Sequence, residues 1–127
     1  MSGDLNILSM ASAMARHAAH RHEILAQNIA NADTSGYRAK DLEPFAEAYG
    51  RSASSLSVHE LAEQPNAGDD WRVIVSSAPG SQSPNGNSVS LEDQMMRSVE
   101  AQGAHDAATA IYKKTIEILR LSLGRGN

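Results

Sequence analysis

Between residues 4 and 32 the chain has neither Pro nor Gly, and Leu8, Ala11, Ala15, Ala18, His22, Leu25, Ile29 and Ala32 recur at alternating spacings of three and four. An a/d pattern kept for about four heptads predicts one long helix, roughly 43 Å from end to end, with a coiled-coil-like seam. Leu5, Ile7, Met10, Met14 and Ile24 widen the stripe, so more than one face of this helix needs a neighbour. A second long helix opens at Ser90-Leu91-Glu92-Asp93, a serine N-cap followed by acids that complement the helix dipole, and closes at Gly124 with Arg120 in its last turns. Along it Leu91, Met95, Val99, Gly103, Ala107, Ala110, Ile111, Ile118 and Leu121 trace a drifting helical stripe. Two long helices of similar length, one at each end, predict an antiparallel hairpin in which Ala11, Ala15 and Ala18 face Gly103, Ala107 and Ala110, small residues that let the backbones approach.

The region between them has another character. All four prolines (Pro44, Pro65, Pro79, Pro84) fall there, residues 76–88 read as loop, and the one regular signal is Trp71-Arg72-Val73-Ile74-Val75, a β-branched run predicting a short, lone strand. The expected fold is therefore mainly α, two long terminal helices packed as an antiparallel coiled-coil-like hairpin with an irregular or small β middle segment. The expected organisation is residues 1–40, long helix and a corner; residues 41–88, acidic variable middle; and residues 89–127, the C-terminal helix.

Composition changes this picture in one respect. Of 127 residues 20 are Ala, while Ile, Leu, Val and Phe together number only 23. So little large apolar surface offsets roughly 1–2 kcal/mol of backbone entropy per ordered residue that an isolated copy is expected to be marginal and to finish folding against partners. Net charge is −4, and the acidity lies in the middle: two Arg against seven carboxylates over residues 41–88. Such a balance excludes a general nucleic-acid binder, which needs clustered cations to displace counterions. With no Cys, disulfides, thiolate metal sites and Cys nucleophiles are excluded. Apolar runs are too short for a membrane span or a cleavable secretory signal, and neither is expected.

Candidate chemistry is sparse. His17 and His20 sit at i, i+3 with His22 close by, a spacing able to hold a metal, but His22-Glu23 does not extend to a zincin pattern because position 26 is Ala. A polar helix face, with His22 near the seam, is the simpler reading. The serines form no nucleophile elbow, Asn85-Gly86-Asn87 reads as a turn rather than a phosphate cradle, and Asp69-Asp70 reads as a solvated pair. Met95-Met96 reads as packing filler ahead of an adaptable partner surface. No catalytic residue, metal or cofactor is expected, and the chain is not expected to be an enzyme.

One stretch stands out: residues 25–38, LAQNIANADTSGYR. Asn28 and Asn31 carry amides at i, i+3 into the last helical turn, Asp33 or Thr34 can bond the local backbone, and Gly36 can take positive φ. A buried amide at a seam fixes register at some cost in stability. This stretch resembles the N-terminal motif of bacterial flagellar rod, hook and hook-associated axial proteins. The other end agrees, with Asn87-Ser88-Val89-Ser90-Leu91-Glu92 leading to Met95-Met96 and then Ala108-Thr109-Ala110-Ile111-Tyr112. The likeness is greatest to the basal-body rod proteins and covers about residues 5–50 and 85–124; Ser35 departs from it, standing where many relatives carry Pro.

The resemblance implies a structural subunit of the flagellar basal-body rod, at its membrane-proximal end, exported by the flagellar type III apparatus and assembled in the periplasm through its terminal helices. The partners it implies are FlgC-type rod subunits, the adaptor FliE, further copies of itself and the export gate. The assembly interface it implies comprises Leu8, Ala11, Ala15, Ala18, Leu25, Asn28, Ile29, Asn31, Gly36, Tyr37, Met95, Met96, Val99, Ala107, Ile111, Ile118 and Leu121. A small His-metal-binding helical module and a cytoplasmic coiled-coil adaptor or chaperone are the alternatives.

Overall fold

The computed structural model describes residues 2–55, 71–76 and 84–124. The expected Asp69-Asp70 pair, His59, and residues 77–83 of the expected loop lie outside the described residues. Two long helices, α1 (Ser2–Ala30) and α3 (Leu91–Gly124), pack against each other, and a short helix α2 (Phe45–Ser55) and two strands, β1 (Lys40–Leu42) and β2 (Val73–Val75), lie between them in sequence. The fold is the expected one: mainly helical, two long terminal helices packed together and a small two-stranded sheet.

Cross-helix bonds from Asn28 to Gln94 and from Arg21 to Glu100 make the pair antiparallel and set its level. Carried along both helices, this places Ala15 level with Ala107, the axial register expected from the sequence. The rotation of α3 differs. Its buried residues are Gln94, Ala101, Ala108 and Thr115, a strict heptad of small and polar side chains. The expected stripe faces out: Leu91, Met95, Val99, Gly103, Ala107, Ala110, Ile111, Ile118 and Leu121 are all exposed. Ala101 and Ala108 have no accessible surface at all, and only residues this small let the two backbones close. Large aliphatics at the contact would hold them apart.

On α1 the seam is as expected at Ala11, Ala18 and Leu25, which are buried, and at Leu8, Ala15 and His22, which are half-buried. Ile29 is the exception; it is exposed, and Asn28 turns inward in its place. A second face of α1, carrying His17, Arg21 and Asn28, meets the middle segment. There the strand read as lone finds a partner, because Lys40, Asp41 and Leu42 pair antiparallel with Val75, Ile74 and Val73. The helix α2 was not expected. It follows Pro44, whose carbonyl accepts from the Glu47 and Ala48 amides, and it buries Ala48 while Phe45 and Tyr49 stack with ring centroids 5.4 Å apart.

Candidate functional site

The corner after α1 is built from both ends of the chain. Asn28 has no accessible surface, and every hydrogen-bonding position of its amide is used. Its Nδ2 donates to the Lys40 carbonyl (2.6 Å) and to Gln94 Oε1 (2.8 Å), while Oδ1 accepts from the Lys40 amide (3.0 Å) and the Tyr37 hydroxyl (3.1 Å). One side chain thus ties α1 to the start of β1 and to α3. A fully satisfied buried amide of this kind tolerates one register, since any slip leaves its partners without bonds.

Three residues on, Asn31 Nδ2 donates back to the Gln27 carbonyl, and the Thr34 hydroxyl donates to Asn31 Oδ1. The bond expected between Thr34 and local backbone therefore runs to a side chain instead. Gly36 has φ of 75°, as the turn requires. Opposite it stands Gly86 with φ of 83°, and a Cβ on Gly86 would meet the Gly36 Cα at 3.5 Å.

Around these glycines the lead-in to α3 closes over the corner. Asn87, buried, donates from Nδ2 to the carbonyls of Asn31 (2.8 Å) and Thr34 (2.5 Å) in the turn after α1, which also accept the Thr34 and Tyr37 amides. Its Oδ1 accepts from the Val89 amide. The Asn85 carbonyl accepts from the Gly36 amide and from the Ser35 hydroxyl, so Ser35 supplies a cross-link that Pro could not. Ser88 accepts at Oγ from the Ala39 amide and donates its own amide to the Tyr37 carbonyl, and Ser90 caps α3 by accepting from the Asp93 amide. Residues 28–40 and 85–90, separate in sequence, form one clamp.

Beside the clamp runs a charge network. Asp41, buried, receives two bonds from Arg21 (2.9 and 3.0 Å) and one from Arg97 (2.7 Å), so α1, β1 and α3 meet on a single carboxylate. Burial pushes Asp41 up, but the hydrogen bonds from both guanidinium groups outweigh it and hold the carboxyl below its ordinary range. Arg97 is also held by Asp93, and Arg21 by Glu100. Glu43 is paired with Arg51 of α2 and accepts the Arg72 amide, which together lower it to about 2.

His17 is buried with Nε2 2.8 Å from the Glu43 carbonyl and its ring edge-on to Phe45 and Trp71, and burial lowers its pKa. Neutral His17 donates to that carbonyl. His20 turns instead toward Trp71 and Glu23, and His22 Nε2 is buried without a partner among the described residues. The three imidazoles do not converge, and among the described residues no group of three His, Cys, Asp or Glu is placed to hold a metal ion.

The expected interface residues divide into two sets. Leu8, Ala11, Ala15, Ala18, Leu25, Asn28, Asn31 and Tyr37 are buried or half-buried within the chain's own packing, while Ile29, Gly36, Met95, Met96, Val99, Ala107, Ile111, Ile118 and Leu121 are exposed. Met95 and Met96, read as filler, are 65% and 66% exposed. The sequence reading missed Gln94, Asn87, Asp41 and Arg97. For Asn87 a signal existed, an Asn-Gly-Asn turn just before a helix cap; for the others the partner lies dozens of residues away.

The described residues thus form a hairpin clamped by asparagines, with most of the large aliphatics of α3 turned outward. A family model described as "Flagella basal body rod protein" matches residues 7–38, which span most of α1 and the corner. Over these residues the chain is similar to that family, whose members are structural rod proteins rather than enzymes. It is FlgB-like: it is 28% identical over 129 residues to the flagellar basal body rod protein FlgB of Agrobacterium fabrum, covering 95% of each chain. No helix among the described residues is long and apolar enough to cross a membrane.

Proposed function

We propose that the chain is exported by the flagellar type III apparatus and joins the membrane-proximal end of the rod, in the periplasm, through the outward faces of its terminal helices. The partners on this reading are FlgC-type subunits, the adaptor FliE, further copies of itself and, in transit, the export gate. The observation that carries the assembly role is the division of α3: small and polar residues pack inward while Leu91, Met95, Met96, Val99, Ile111, Ile118, Leu121 and Leu123 remain exposed. So many exposed large apolar residues on one helix support the reading that these faces contact other chains. On this reading Asn28, Asn31, Gly36 and Tyr37 shape the corner, and Ile29, Met95, Val99, Ile111, Ile118 and Leu121 meet neighbours.

Complementation tests this. A strain lacking the gene regains motility with the full chain and stays non-motile with a Met95→Ser, Val99→Ser, Leu121→Ser variant, whose melting temperature matches the parent because all three sites are exposed. Restored motility by that variant sinks the assembly role of these faces. Circular dichroism of the lone chain before and after adding its rod neighbours is the second measure, with a gain in helix expected.

A further inference from the structure

Asn28, Asn31, Asn85 and Asn87 gather at the corner, and three of them are held both at the side-chain amide and at the backbone amide that follows. Asn28 is buried with its amide fully bonded, and the next amide, that of Ile29, belongs to the α1 ladder. Asn31 donates from Nδ2 to the Gln27 carbonyl, and the Ala32 amide donates to the Ile29 carbonyl. Asn87 donates from Nδ2 to two carbonyls, and the Ser88 amide donates to the Tyr37 carbonyl. Asn85 differs on each count. It is exposed, and among the described residues neither its Nδ2 nor the Gly86 amide has a hydrogen-bond partner.

Only Oδ1 of Asn85 is engaged, accepting from the Asn87 amide at 3.0 Å. That donor draws electrons from Cγ and stands where negative charge collects when Cγ is attacked. Gly86, with no Cβ, crowds an attack by its own nitrogen least of any residue.

We propose that Asn85-Gly86 is a self-modification site, at which the Gly86 nitrogen closes on Asn85 Cγ and the asparagine becomes aspartate or isoaspartate. Water is the only co-reactant. The Gly86 amide loses its proton to solvent base and the N–Cγ bond forms; the Cγ–Nδ2 bond then breaks, and Nδ2 takes up a proton and leaves as ammonia. Water opens the resulting cyclic imide. Addition at Cγ gives aspartate, whereas addition at the Asn85 backbone carbonyl carbon leaves the main chain running through Cβ and Cγ, as isoaspartate. None of this depends on what the chain assembles into.

The consequence falls on the clamp. The Asn85 carbonyl accepts from the Gly36 amide and the Ser35 hydroxyl, both at 3.0 Å. In isoaspartate that carbonyl becomes a carboxylate beside the main chain, and the longer link into Gly86 draws Asn87 off the carbonyls of Asn31 and Thr34. A modified copy therefore closes its corner less tightly. The same two bonds restrain Asn85 before reaction, so a closed clamp slows the conversion and a loosened one speeds it.

The test is incubation of the purified full chain at neutral pH, followed by tryptic digestion and mass spectrometry that separates isoaspartate from aspartate. Asn85 is expected to convert several-fold faster than Asn87, its neighbour in the same tryptic peptide, at a rate that rises with pH because the attacking nitrogen must lose its proton. Ser35→Ala, which removes one bond to the Asn85 carbonyl, raises the rate several-fold. Asn85→Gln, whose longer side chain would have to close a larger ring, stays intact. Converted chains, separated by the charge they gain, melt below unconverted ones. Asn85 converting no faster than Asn87 overturns the proposal, as does a Ser35→Ala rate equal to the parent's, or converted and unconverted chains melting together.

Discussion

Replacing Asn28 by Ala is expected to be the most damaging single change at the corner. The side chain has no accessible surface and makes four hydrogen bonds, to Lys40 N–H and C=O, Gln94 Oε1 and Tyr37 Oη. Truncation leaves the Lys40 amide and the buried Gln94 oxygen without their partner in a space that a methyl group does not fill. Each stranded group costs about 1–3 kcal/mol, and Tyr37 can turn to water, so a total of about 3–5 kcal/mol follows. That is a large share of a typical domain's 5–15 kcal/mol, and for a chain of this size it corresponds to a fall in Tm of roughly 10–20 °C. The assay is thermal denaturation of the purified chain by far-UV circular dichroism, beside Gln102→Ala, an exposed helical site expected to shift little. An Asn28→Ala chain melting within about 2 °C of the parent would refute the claim that this amide sets the corner, because surface substitutions alone have effects that small.

Other outcomes follow from the same geometry. Gly36→Ala and Gly86→Ala force an L side chain into positive φ and are each expected to destabilise by about 1–2 kcal/mol, whereas Gly103→Ala, mid-helix with open space around its Cβ position, stabilises by about 0.5–1 kcal/mol. Asp41→Asn strips Arg21 and Arg97 of a shared carboxylate; since each keeps a second acid, the expected cost is about 2 kcal/mol, read by urea denaturation. Stability depends on pH in two stages. His17 is held neutral below its ordinary 6.5, so the unfolded chain takes up the proton first and stability is lost as pH falls below about 6.5, a step absent in His17→Gln. Glu43 and Asp41 are lowered from 4.5 and 3.8, so their contribution is complete above those values and disappears as pH falls toward about 2, where Glu43 titrates in the folded chain. A melting temperature unchanged between pH 7 and pH 5 would contradict the first stage.

The sequence by itself determined the elements whose causes are local. Proline-free a/d spacing gave α1, the Ser90 cap and Gly124 bounded α3, and Gly36 marked the turn, because capping and backbone permissiveness act within a few residues. The axial level of the hairpin agrees with the expected facing of Ala15 and Ala107, but it is the Asn28–Gln94 and Arg21–Glu100 bonds that fix it. Only the tertiary structure decided the rotation of α3. Apolar side chains occur all around that helix, so no periodicity distinguished the face bearing Ala101 and Ala108 from the face bearing Met95 and Val99; close backbone approach selected the smaller residues. The same holds for the clamp. Whether Asn28, Asn87, Gln94 and Asp41 can be buried depends on bonds to groups far along the chain, and a polar residue carries no sign of its partner until the fold brings the two together.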